Sequence, residues 1–139
     1  MTLESEMILV TGGAGFIGTA LVNRLRIEFP GVQIVVLDSQ SNGEVSDHRF
    51  LKKASRAAGA GISEGENSVT YVHADIRDAN SVLESAKDCG LVVHLAANTG
   101  VGPSIEDPMF DMETNVVGTL NVLEAARVNN VKRVVFASS

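Results

Sequence analysis

The eight residues Thr11-Gly12-Gly13-Ala14-Gly15-Phe16-Ile17-Gly18 constrain this chain more than any other stretch. Before them, Met7-Ile8-Leu9-Val10 is a short apolar run of buried-strand type. After them, Leu21, Val22, Leu25 and Phe29 fall at helical spacing over 19–29. Strand, glycine turn and helix, in that order, form the context in which such glycines hold a ligand. Glycine lets the backbone enter conformations closed to other residues and lets a ligand lie against bare peptide. The helix that follows aims unpaired N–H groups and the positive end of its dipole at the same point, so the group held there should be an anion, and a pyrophosphate fits. Taken alone, the glycines would serve a tight strand-to-helix turn equally well.

The next strand narrows the reading. Val32-Gln33-Ile34-Val35-Val36-Leu37 is apolar, largely β-branched, and ends in Asp38. An acid at the tip of the second strand, about twenty residues past the last glycine, is placed to take both hydroxyls of an adenosine ribose. On its own it would be a solvated turn residue. No Arg or Lys follows Asp38 before Arg49 to hold a 2′-phosphate, so NAD is favoured over NADP.

Composition bounds what else the chain can be. With 139 residues, 45% of them hydrophobic, it is one domain over 1–139 with room for a core. A net charge of −6 leaves no basic face for nucleic acid or an anionic membrane, so a dinucleotide's charge must be met by backbone dipoles. The single cysteine, Cys89, permits no internal disulfide, fits a reducing compartment, and reads as a small packed side chain rather than a nucleophile. No apolar run approaches membrane-spanning length and the N-terminus lacks a leader pattern. The expectation is a soluble cytoplasmic protein.

The remaining chain alternates strands and helices. Residues 39–68 are rich in Gly, Ser, Asn and charge, with a thin helical pattern over 47–58 and a loop over 59–68. Val69-Thr70-Tyr71-Val72-His73-Ala74 is a third strand, followed by Asp75-Ile76-Arg77-Asp78, where Asp78 can cap a helix over 79–87 with Val82, Leu83 and Ala86 inward. Asp75 and Ile76 then share the ligand-binding edge with Gly12 and Asp38, where they could contact adenine or simply make a turn. His73 reads as a packed or half-exposed strand residue. Leu91-Val92-Val93-His94-Leu95 is a fourth strand, with Ala96 and Ala97 leaving space for a ring at the same edge. A polar loop over 98–104 should lie across the site. A helix over 107–129 takes Pro108 in its first turn and shows Met112, Val116, Leu120, Leu123 and Ala126 as an apolar face, with Asn115 beside it. Asn115 there serves either a structural hydrogen bond or the site. Arg133-Val134-Val135-Phe136-Ala137 is a fifth strand. Right-handed crossovers make this an α/β, doubly wound parallel sheet of Rossmann type in the order 3-2-1-4-5. A buried-type strand left at an open edge reads as a truncated sheet.

These blocks, together with Asn115-Val116-Val117-Gly118-Thr119 and Phe136-Ala137-Ser138-Ser139, resemble the NAD-dependent epimerase/dehydratase family, the extended branch of the short-chain dehydrogenase/reductases. The resemblance runs over nearly the whole chain, in order and in spacing. It implies that Gly12, Gly15 and Gly18 are the fingerprint glycines, with the Phe16 and Ile17 amides at the pyrophosphate. It implies Asp38 at the adenosine ribose, Asp75 and Ile76 at adenine, Leu95, Ala96 and Ala97 along the middle of NAD, and Thr99 toward the nicotinamide ribose. Asn115 falls near cofactor and substrate, and Ser139 aligns with the residue that hydrogen-bonds the substrate hydroxyl, Ser138 being its strand neighbour. It implies nucleotide-sugar chemistry by transient hydride removal, and a homodimer.

One part of the family pattern is missing. Its general base is a Tyr in a Tyr-x-x-x-Lys motif, whereas the only tyrosine here, Tyr71, lies on a strand with Asp75 four residues on. The expectation is therefore the NAD-binding portion of a nucleotide-sugar epimerase or 4,6-dehydratase, lacking the substrate lobe. A non-catalytic NAD-binding module and an inactive remnant are the alternatives.

Overall fold

The structure, a computed structural model, describes residues 7–39 and 69–138, so the helix expected over 47–58 and the loop over 59–68 lie outside the described residues. Five strands carry it: β1 (Met7–Thr11), β2 (Gln33–Asp38), β3 (Val69–His73), β4 (Cys89–His94) and β5 (Arg133–Phe136). All pairings are parallel. Their order is β3-β2-β1-β4-β5, as expected. Thr11 pairs with Leu37 and with His94, and Asp38 pairs with His73, so these strands finish along one edge.

Helices cover both sides of the sheet, which is why the strands read as continuous apolar runs rather than alternating ones. On one side Ile8, Val10, Ile34, Val36 and Val93 pack against Val22 of α1 (Phe16–Glu28), with Leu21, Leu25 and Phe29 closing the layer. On the other, Leu9, Leu37 and Val92 meet Val82 of α2 (Ala79–Ser85) and Val122 and Ala125 of α5 (Gly118–Val128). Each fully buried Val or Leu contributes about 2 kcal/mol relative to exposure, so both layers hold the sheet edge in place. Asp78 caps α2 as expected, accepting from the backbone N–H groups of Asn80 and Ser81.

Four expectations need correction. The first helix begins at Phe16, ahead of the apolar pattern, because Phe16 and Ile17 are 96% and 66% exposed and carry no inward-facing signal. The polar loop over 98–104 contains a short helix, α3 (Val101–Glu106), and α2 stops at Ser85 rather than at residue 87. The long helix is interrupted: α4 (Pro108–Met112) passes through a π-helical turn (Glu113–Val117) into α5.

The inward face of that helix is also not the expected one. Met112, Val116, Leu120 and Leu123 are exposed, and of the expected stripe only Ala126 is buried. The sheet side is made of Thr114, Gly118, Val122 and Ala125. A Cβ on Gly118 would stand 2.5 Å from Ile76 Cδ1, so the helix lies too close to the tip of β3 for a bulky residue there.

Candidate functional site

At the C-terminal edge of the sheet lies a cavity of about 500 Å³. That is the size of a small-molecule site, and the edge is where open α/β sheets bind ligands. Its floor is the glycine loop, and the reasons for the glycines differ. Gly12 has φ +70, and a Cβ there would stand 2.6 Å from the Ala96 amide nitrogen. A Cβ on Gly18 would strike the Gly12 carbonyl oxygen, so these two positions are fixed by the fold itself. Gly15 is different. Its φ of −72 and ψ of 178 suit any residue, and among the described residues outside its own helix and chain neighbours a Cβ would meet the Gly12 carbonyl oxygen alone, at a tight 3.3 Å. Packing asks less of Gly15 than of Gly12 or Gly18, and the residue borders the cavity.

Gly15 is also the N-cap of α1, and it offers no side chain to the helix start. The first-turn N–H groups of a helix lack intrahelical acceptors, so an uncapped start facing a cavity is a ready anion site. No acidic residue stands in the first turn of α1 to oppose this. Asp38, at the tip of β2, borders the cavity too, and its Oδ2 accepts the Ala14 N–H at 2.9 Å. The carboxylate is thereby held beside the glycine loop.

The third strand's tip is built around an arginine. Asp75 Oδ1 accepts the Arg77 backbone N–H at 2.8 Å, and Oδ2 accepts from Arg77 Nε at 3.1 Å and Nη2 at 2.8 Å. The Arg77 guanidinium holds the Asp75 carboxyl below the usual carboxylate range. Asp75 and Ile76 line the cavity, and so do Leu95, Ala96, Ala97 and Thr99 on the β4 side.

Behind that side runs a directional chain of hydrogen bonds. Thr119 Oγ1 donates to the Asn115 carbonyl at 2.7 Å and lies 2.9 Å from His94 Nε2. A hydroxyl that has spent its proton must accept, so Nε2 carries the hydrogen and Nδ1 is the acceptor. Thr11 then donates to Nδ1 at 2.6 Å and accepts the Ala96 N–H at 3.4 Å. Burial holds the His94 imidazole below its ordinary pKa, which favours this neutral form.

Asn115 does not line the cavity. It forms a reciprocal pair with Asn98, accepting the Asn98 N–H at 2.8 Å and donating to its carbonyl at 3.1 Å, so it holds the loop that lies over the site. Ser139 lies outside the described residues. Tyr71 donates to the Asp38 carbonyl at 3.2 Å, a structural role, and His73 is exposed with Nε2 3.0 Å from the Ser39 carbonyl. Cys89, the first residue of β4, is buried, and burial, with Asp88 nearby, pushes its thiol up to about 12, so it is no nucleophile.

On the helical side the cavity is lined by two residues that the sequence reading did not single out, Phe110 and Thr114. Phe110 lies 4.4 Å beneath the Arg77 guanidinium carbon. The Thr114 hydroxyl is buried and finds no hydrogen-bond partner among the described residues. Both sit one turn apart on the helix whose inward face the bulkier residues had misassigned.

Comparison with known proteins agrees with this geometry. Residues 8–139 match the model of the NAD dependent epimerase/dehydratase family. The chain is 41% identical over 133 residues to a UDP-glucose 4-epimerase of Mycolicibacterium smegmatis, covering 94% of this chain and 38% of that protein. It is 35% identical over 125 residues to a dTDP-glucose 4,6-dehydratase of Mycobacterium tuberculosis, covering 90% of this chain and 34% of that one. The crystal structure of Thermus thermophilus UDP-glucose 4-epimerase in complex with NAD superposes with a TM-score of 0.73 at 35% identity, over 96% of this chain and 37% of that one. The chain thus spans under two fifths of the length of these relatives. With its five-stranded sheet, its glycine loop and its match over residues 8–139, this chain belongs to the NAD dependent epimerase/dehydratase family.

Proposed function

We propose that residues 1–139 form the NAD-binding part of a nucleotide-sugar epimerase. The observation that carries this is Gly15: a Cβ there meets only a 3.3 Å contact, against 2.6 Å at Gly12 and 2.3 Å at Gly18, whereas a pyrophosphate seated on the α1 start would need the bare backbone. In this reading the amides of Phe16, Ile17 and Gly18, with Gly12 and Gly15 beneath, hold the phosphates. Asp38 accepts from the ribose hydroxyls, Asp75 and Ile76 flank the adenine, Leu95, Ala96 and Ala97 bed the middle of the dinucleotide, and Thr99 faces the nicotinamide ribose. Asn115 acts through Asn98, and Ser139 meets the substrate hydroxyl. Bound NAD supplies a nicotinamide that takes hydride from the sugar and returns it. This chain's residues bind and orient.

Calorimetry on the 139-residue chain tests the reading: NAD should bind in the micromolar range, and Gly15→Val should weaken that binding on the order of a hundredfold while leaving the chain folded. A folded wild-type chain with no NAD signal would overturn it. The likeness to a dTDP-glucose 4,6-dehydratase supports a second reading of the whole protein, as a dehydratase. Product analysis with UDP- and dTDP-glucose separates them, since a dehydratase releases a 4-keto-6-deoxy sugar. We further assign the exposed stripe Met112, Val116, Leu120 and Leu123 to pairing with a second copy in the cytoplasm, a contact that Leu120→Glu should abolish, with sedimentation reading the shift from dimer to monomer. Among the described residues no helix is long and apolar enough to cross a membrane.

A further inference from the structure

We propose that Arg77 is a positioning residue for cofactor choice: by clamping Asp75 it makes the tip of β3 select a purine that bears an exocyclic amine. The inference rests on the NAD reading above and deepens it. With phosphates at the α1 start and a ribose at Asp38, the sheet order places β3 next beyond β2, so the base on that ribose reaches Asp75 and Ile76. Arg77 fixes both Asp75 oxygens from its own backbone and its guanidinium. It is held in turn by Phe110 beneath it and by Glu113 Oε2, 3.3 Å from Nη1. The carboxylate cannot rotate, and it stays ionised.

An ionised carboxylate accepts hydrogen bonds and cannot donate them. Oδ1 receives a single N–H from Arg77 and keeps a lone pair for another donor. Adenine offers one through its amine. Hypoxanthine carries a carbonyl oxygen at that position, which meets the carboxylate acceptor to acceptor. A freely turning Asp75 could swing away from that clash; a clamped one cannot. The fork geometry matters, because a lysine would supply charge without the paired Nε and Nη2 contacts.

The test compares the dissociation constants of NAD and nicotinamide hypoxanthine dinucleotide by calorimetry on the full chain. Wild type should prefer NAD at least about tenfold, the worth of one well-made hydrogen bond to a charged group. Arg77→Met, which keeps an unbranched apolar side chain and removes the donors, should bring the preference to within about threefold, and Arg77→Lys should fall between. Glu113→Gln loosens only the link to the helix and should leave the preference as in wild type. If Arg77→Met does not fold, Arg77→Lys is read in the same way. An unchanged preference in the Arg77 variants, or an equal loss in Glu113→Gln, overturns the inference, as does a wild type that binds both dinucleotides alike. A wild type that binds neither overturns the NAD reading along with it.

Discussion

The cavity has two walls made by opposite strategies. The glycine loop between β1 and α1 works through bare backbone, and its residues are neighbours in sequence. The helical wall from α4 to α5 works through side chains, and its partners Ile76, Arg77, His94 and Asn98 come from elsewhere in the chain. The first wall is stiff because its atoms touch each other. The second is placed because other elements hold it. Mutations should therefore separate folding from binding on the loop, and one helix face from the other on the helix.

The largest effect is expected within the loop. Gly18→Val forces a side chain into the Gly12 carbonyl and should destabilise the chain by about 3 kcal/mol, whereas Gly15→Val should cost less than about 1 kcal/mol. The same Gly15→Val should weaken NAD binding on the order of a hundredfold, by occupying the phosphate's place. Denaturant titration beside calorimetry reads both; equal stability losses would erase the distinction within the loop.

On the helical wall, Val122→Ala should cost about 2 kcal/mol, because it hollows the core. Leu120→Ala, 62% exposed, should change monomer stability by less than about 0.5 kcal/mol. The reverse ranking would restore the face that periodicity had indicated. Asn115→Ala leaves the Asn98 N–H and carbonyl without their partner and should cost about 1 kcal/mol, with faster amide exchange at Asn98.

The smallest effect is one of pH. The folded His94 binds a proton less readily than the unfolded one, whose pKa is near 6.5, so acidification favours the unfolded chain. Stability should decline as pH falls below 6.5 and level off only below the folded pKa. Asp75 and Asp111, both lowered, act in a separate window, their stabilisation being lost as pH falls below about 3.8. Melting curves between pH 7 and 5 should slope for wild type and flatten for His94→Gln. A slope that survives the substitution would acquit His94.

How much of this was legible in advance follows from the same contrast. The strand order, the glycine loop and Asp38 could be read because each depends on local pattern and known spacing. The cavity gathers Gly12, Gly15, Phe16, Ile17, Gly18, Asp38, Asp75, Ile76, Leu95, Ala96, Ala97 and Thr99 at one edge. The helical face could not be read that way. Pattern reading follows bulk, and the bulkiest residues, Leu120 and Met112 among them, point outward, while close packing on Ile76 selects Gly118 and the buried face continues through small Ala125. Arg77 and Phe110 are paired across 33 positions of sequence, and nothing in either segment alone announces it.

The π-helical turn at Glu113–Val117 introduces a phase slip into an otherwise regular rod. One surplus residue amounts to a rotation of about 100°, so the rod's two ends are indexed to different neighbours: Phe110 to Arg77 on one side of the slip, Val122 to the sheet on the other. Trimming a single residue from this segment would straighten the helix and still disengage one end, which makes its length as binding a specification as its composition.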